Sequence, residues 1–109
     1  VADGAGAVIP VLPVTDTLTP VDAAGVVVGT PRRSDMVAVQ TPQGFRWDVL
    51  IRAHEEGASL GADEARAATD DAGLVEAIGG TVHTVAGDER SMKVTRPLDL
   101  ALAQILVAE

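Results

Sequence analysis

Lysine occurs once in this sequence, at Lys93, on a β-prone stretch from Met92 to Thr95 that runs into an apolar helix. An ammonium there could share a site with the unpaired backbone N–H groups of the helix's first turn, a combination that attracts phosphate. From spacing alone, a solvated lysine on an edge strand is the simpler reading. Arg32-Arg33 follows Pro31 in a break between two β-prone stretches, where a guanidinium fork could grip a phosphate with two parallel hydrogen bonds. In an acidic chain the same pair can equally serve Asp16 or Asp35, or stay in water. Thr69-Asp70-Asp71 offers paired carboxylates of the kind a hard cation takes. A Thr N-cap followed by acids in the first turn is also what a helix start requires, and capping is the reading adopted. His54 and His83 have no Ser or Asp arranged around them as a triad, so packing roles are assigned to both.

Composition narrows the chemistry further. The 109 residues suit one domain with a modest core. The apolar share is 47%, mostly Ala and Val, with one Trp, one Phe and no Tyr, so there is no aromatic platform on which bases could stack. A formal charge of -8 repels polyanions and argues against general binding to nucleic acid or anionic membrane, while local cations still permit a small phosphorylated ligand. Without Cys there are no disulfides, thiol nucleophiles or cysteine metal sites. No apolar run reaches the roughly 18 residues that span a bilayer, and no leader pattern precedes the first strand, so a cytoplasmic protein is expected. Val1 at the start, with Gly4 and Gly6 suited to the exit from a helix, reads as a piece of something longer.

The elements that must position these residues alternate. Ala7 to Val14 is a nearly unbroken apolar run, the pattern of a strand buried on both faces of a parallel sheet, although Pro10 and Pro13 speak against a central place. Thr15 to Val21 and Val26 to Thr30 flank Asp22-Ala23-Ala24-Gly25 and predict a hairpin. A ribbon of that kind is marginal alone and must lie against something else. Met36 to Thr41 predicts a strand. Trp47, Leu50, Ile51 and His54 predict one stripe of a helix ended by Gly57. Gly57 to Ala68 is expected as a mobile surface loop. Thr69 N-caps a short helix carrying Leu74, Val75 and Ile78 and closed by Gly79-Gly80; short strands are predicted at Thr81 to Ala86 and Met92 to Thr95. Leu98, Ala101, Leu102, Ile105 and Leu106 mark the final helix, with Pro97 near its start. Strands alternating with helices, without internal repeats, give an α/β class.

Five ordered segments carry a resemblance that periodicity does not supply. They are Val14-Thr15-Asp16-Thr17; Arg33; Gln40-Thr41-Pro42-Gln43-Gly44-Phe45; Thr69-Asp70-Asp71-Ala72; and Met92 to Leu100, MKVTRPLDL. From about Ala7 to the C-terminus the chain resembles the second half of the 2-C-methyl-D-erythritol 4-phosphate cytidylyltransferase family. The resemblance implies that residues 1–109 are the C-terminal portion of a single domain: half of a Rossmann-like nucleotidyltransferase sheet with a protruding β-hairpin dimerisation arm at residues 15–30. The implied reaction joins methylerythritol phosphate to CTP and releases pyrophosphate, with help from Mg²⁺, in non-mevalonate isoprenoid synthesis. The implied assembly is a homodimer whose arms interlock.

By position, Thr17, Arg33 and Thr41 resemble the family's contacts to the sugar phosphate in the opposite subunit's site, and Lys93 resembles its positioning lysine. Arg33 and Lys93 are thus the implied catalytic positioning pair. Arg32 departs from the acidic residue common at that place. The family's Gly-rich nucleotide loop and its metal-serving Asp segment have no counterpart here, so no metal ligand is assigned in this stretch, and the fragment alone is expected to be inactive. Two rival readings share these features: a ribitol 5-phosphate cytidylyltransferase, and a non-catalytic dimerisation module.

Overall fold

A computed structural model describes residues 4–58 and 70–109, and its organising element is strand β1, Ala7–Pro13. β1 takes partners along its whole length. Strand β2, Val37–Val39, runs antiparallel to it with Val11 opposite Val39, and strand β3, Gly44–Phe45, runs antiparallel with Ala7 opposite Phe45. Strand β4, His83–Ala86, is parallel, with Val8 opposite His83 and Val11 opposite Ala86. The sheet is therefore mixed rather than parallel, and β1 is central to it in spite of its prolines. Pro10 keeps its place by accepting, through its carbonyl, the N–H of Gln40 at 2.8 Å, and Pro13 stands at the strand's end. Only Ala7 and Ile9 on β1 are buried; Val8, Pro10, Val11 and Leu12 are half-buried and Pro13 is exposed, so the strand is not covered on both faces.

Between β1 and β2 the chain leaves the sheet. The predicted hairpin strands reduce to one bridge, Val21 to Val27, around a reversal in which Asp22 Oδ1 accepts the N–H groups of Ala24 and Val26. Gly25 closes this turn at φ 82°, a conformation that costs glycine little. The segment is exposed, and it returns through a 3₁₀ turn at Arg33–Asp35.

Helix α1, Trp47–Gly57, and helix α2, Asp71–Ala77, pack on each other and on β1. Ala7, Ala53 and Val75 are fully buried, with Phe45, Val49, Leu74, Ile78 and Val82 around them. The inward face of α1 is Val49, Ala53 and Gly57; Trp47, at 75% exposure, is not on it, and His54 is exposed. Small residues allow the close approach: a Cβ at Gly57 would stand 3.2 Å from Leu74 Cδ2. A search for large apolar residues at helical spacing does not register that face. The N-cap of α2 is Asp70 and not Thr69: Asp70 Oδ1 accepts from Gly73 N at 2.8 Å, and Thr69 lies outside the described residues. Of the expected loop from Gly57 to Ala68, Gly57 closes α1 and Ala58 caps it, and 59–68 lie outside the described residues.

Residues 92–95 are irregular chain rather than a strand. They lead into helix α3, Pro97–Ala108, whose first turn is held by Asp99: its Oδ2 accepts from Arg96 N at 2.9 Å and Thr95 N at 3.1 Å. The expected stripe on α3 faces solvent, with Leu98 at 67% and Ile105 at 60% exposure. Of that stripe Leu106 alone is half-buried, and with Ala103, which was not in it, it lines a small hollow shared with Met92 and Val94. A helix apolar on every side gives periodicity no face to choose, and such helices are ordinarily buried all round. The radius of gyration, 16.5 Å, exceeds the ~13 Å of a compact chain of this length, in keeping with the small core and the projecting 14–36 segment.

Candidate functional site

The segment after β2 builds the site. Gln40 is anchored to β1 by its main chain, Thr41 and Pro42 follow across a cis peptide bond, and Gln43 leads into β3. Thr41 and Gln43 line an open cavity of about 610 Å³ together with Gln40, Asp70, Asp71 and Lys93. Lys93 and Thr41, far apart in sequence, are thus brought together, with the N-terminus of α2 on the same hollow.

The polar groups in this hollow divide into those already engaged and those facing it free. Asp70 is engaged on both oxygens, Oδ1 with Gly73 N at 2.8 Å and Oδ2 with Gln43 Nε2 at 2.9 Å. Asp71 Oδ1 lies 3.0 Å from His54 Nε2, a bond from α2 to α1 that gives His54 a polar role in place of the packing role assigned to it. Lys93 is exposed, and among the described residues no hydrogen bond or ion pair engages its ammonium. The hollow is therefore lined by a residue with a free cation and by one with a hydroxyl, together with two carboxylates whose acceptor capacity is partly spent on the protein itself. That arrangement can receive an anion such as a phosphate oxygen.

The same carboxylates do not form a metal centre as they stand. Among the described residues no group of three or more His, Asp or Glu could hold a metal ion.

Arg33 lies elsewhere. Its Nη1 donates to Thr15 O at 2.9 Å, and it lines a second cavity, about 690 Å³, with Leu12, Val14, Ser34, Met36 and Val37. No ion pair joins Arg32 or Arg33 to Asp16 or Asp35 among the described residues. Thr17 is exposed in the projecting segment and lines neither hollow. Thr41, expected beside Thr17 and Arg33, shares its cavity with Lys93 instead. His83 is exposed on β4, so its packing role is not found either.

Residue reading missed Gln40 and Gln43, which bind the turn before Lys93 and the start of α2 respectively. The available signal was a polar residue on each side of Thr41-Pro42, directly after the apolar Val37-Ala38-Val39. Nothing in spacing says which distant backbone such an amide meets.

No helix among the described residues is long and apolar enough to cross a membrane. The family model for IspD, 2-C-methyl-D-erythritol 4-phosphate cytidylyltransferase, matches residues 1–109. A protein of that name from Rhodococcus jostii is 52% identical over 106 residues, covering 97% of this chain and 44% of its own length. One from Nocardia farcinica is 57% identical over 104 residues, covering 95% and 42%. The crystal structure of the Thermus thermophilus enzyme of that name superposes with a TM-score of 0.76 at 38% identity, over 99% of this chain and 51% of that one. The chain thus spans about half the length, or less, of the proteins it matches. Its sequence over all 109 residues, and its fold over the described ones, agree on one assignment: the chain belongs to the 2-C-methyl-D-erythritol 4-phosphate cytidylyltransferase family.

Proposed function

We propose that this chain supplies the sugar-phosphate half of a cytidylyltransferase, which transfers a cytidylyl group from CTP to 2-C-methyl-D-erythritol 4-phosphate. The observation that carries the proposal is that Thr41 and Lys93, whose ammonium has no partner among the described residues, line one open hollow. A phosphate oxygen of the sugar attacks the α-phosphorus of CTP; the bond from that phosphorus to the bridging oxygen breaks, and pyrophosphate leaves with the electron pair. Two anions must be aligned for this displacement, and alignment with charge screening is most of the catalysis such a reaction needs. Lys93 holds the phosphate of the sugar by charge and Thr41 orients it through its hydroxyl. Arg33 and Thr17, which do not line this hollow, serve the site of a second subunit, reached through the arm at residues 15–30.

Mg²⁺ chemistry belongs to the reading of the whole enzyme. The carboxylates here do not fit it: Asp70 is bonded on both oxygens and Asp71 is paired with His54. The ion is therefore assigned to ligands outside this set and to the substrate phosphates, and no step here runs through it. The exposed apolar faces of α3 and of the arm are assigned to the rest of the enzyme and to the second subunit. A cytoplasmic location accompanies this reading.

The test is pyrophosphate release by the complete protein with CTP and either polyol phosphate. Turnover with methylerythritol phosphate is expected. Turnover with ribitol 5-phosphate alone would transfer the assignment to that activity, and none with either would favour a dimerisation module.

A further inference from the structure

We infer that Gln40 is a positioning residue for Lys93; the inference rests on the proposed role of Lys93 in cytidylyl transfer. The side-chain amide of Gln40 spends both its ends on one turn. Nε2 donates to Asp88 O at 2.8 Å and to Ser91 O at 3.4 Å, and Oε1 accepts from Asp88 N at 3.1 Å. Its main chain is fixed to the central strand, Gln40 N to Pro10 O, and the turn starts from the same strand, Gly87 N to Val11 O, both at 2.8 Å. A Cβ at Gly87 would run into Gln40 Oε1, so glycine leaves the space that the amide fills.

Ser91 stands two residues before Lys93, and two residues after it Thr95 N is held by Asp99. Lys93 therefore projects from a short span pinned at both ends, one pin being the side chain of the residue next to Thr41. The geometry makes Gln40 the link that keeps Thr41 and Lys93 at a fixed separation across their shared cavity. Displacements of about 1 Å in such groups can cost on the order of 10²-fold in rate. Glutamine is chemically required for this bond set, because glutamate cannot donate to the two carbonyls and would set a charge against them.

Gln40→Ala, Gln40→Glu, Lys93→Ala and the double variant Gln40→Ala with Lys93→Ala test this in the complete enzyme, by steady-state kinetics and by amide hydrogen exchange over residues 87–93. Gln40→Ala is expected to speed exchange there while leaving α1 unchanged, and to lower kcat roughly tenfold, with Gln40→Glu behaving alike. In the Lys93→Ala background the same change should cost nothing more, because Gln40 acts through Lys93. A merely structural glutamine would lower the rate by the same factor in both backgrounds. That outcome, or unchanged exchange at 87–93, overturns the inference. If Lys93→Ala alone keeps the wild-type rate, the proposed site fails, and Gln40 is judged by the exchange measurement.

Discussion

Gln43 Nε2 donates to Asp70 Oδ2 at 2.9 Å, which fastens the first turn of α2 to the segment that carries Thr41. Asp70 also caps that helix through Gly73 N. Asp70→Ala removes both bonds and should cost about 1 kcal/mol, the ordinary worth of an N-cap, whereas Gln43→Ala leaves the cap in place, losing the bond to Asp70 and a longer one that its Oε1 accepts from Ala72 N at 3.4 Å, and should cost less. Urea midpoints of the two variants in the complete protein rank them. Equal losses would mean that the glutamine, not the cap, holds this helix.

How much of this was legible beforehand differs between elements for physical reasons. Ala7 to Val14 announces itself as a strand by its nearly unbroken apolar run, and Pro97 announces a helix start. The face that α2 buries was legible too, since Leu74, Val75 and Ile78 all reach the core, but the faces of α1 and α3 were not. On α1 the contact is made by Ala53 and Gly57, whose importance is that they are small, and α3 is apolar all round. The candidate site divides in the same way. Lys93 stands out as a lone lysine beside a helix start, but Gln40 and Thr41, which follow β2, share its cavity only because β2 and β4 both pair with β1. Pairing over such sequence separations is set by tertiary structure, and local pattern does not encode it.

The closeness of α1 and α2 at Gly57 gives a packing prediction. Gly57→Leu would drive a side chain into Leu74 and should destabilise by about 1–3 kcal/mol, as overpacking does. Gly57→Ala meets only the flexible end of Leu74 and gains helix propensity, so it should be neutral or stabilising by up to about 1 kcal/mol. Thermal unfolding of both variants checks the pair. If alanine proved as harmful as leucine, the two helices would be packed with no room to give.

Asp99 predicts a pH dependence. The N–H groups of Arg96 and then Thr95, with a smaller contribution from the Arg96 guanidinium, hold its carboxyl below the usual aspartate range against a weak opposing effect of burial. A lowered folded pKa means that the carboxylate stabilises the folded state fully above its unfolded value, about 3.9, and that this is lost as the pH falls through the lower folded value. Asp99→Ala should therefore lower the Tm at neutral pH, and its deficit should shrink in acid. A deficit that stays constant into acid would show that the carboxylate's charge is not what holds the helix start.

The projecting segment predicts the assembly. Val21, Val26, Val27 and Val28 are each more than half exposed on a ribbon held by one bridge and by the Thr19 hydroxyl donating to Gly29 O, an arrangement that is marginal without a partner surface. The complete protein should scatter light as a two-fold dimer at micromolar concentration. Val27→Asp should shift it toward monomer and lower activity together. A monomeric wild type with full activity would remove the arm from the functional reading.

Arg33 and Lys93 line different hollows, and if each site is completed by the partner's arm they meet only across the dimer. Arg33 donates one guanidinium N–H to Thr15 O, which leaves the other nitrogens of a planar fork for a phosphate. Arg33→Lys keeps the charge but cannot hold the carbonyl and a phosphate in that fixed geometry, so it should damage turnover, whereas Arg32→Lys should matter little. Lys93→Ala should cost on the order of 10² to 10³ in rate, as loss of a preorganised electrostatic contact does. Mixing is the sharper measurement. An Arg33→Ala enzyme and a Lys93→Ala enzyme, unfolded and refolded together, form heterodimers in which one site carries both changes and the other carries neither. Activity should then reappear above that of either variant alone. If both residues served a site within one chain, every site in the mixture would hold one lesion and the activity would stay at the level of the parents. Arg32→Lys proving worse than Arg33→Lys would move the phosphate contact to the neighbouring arginine.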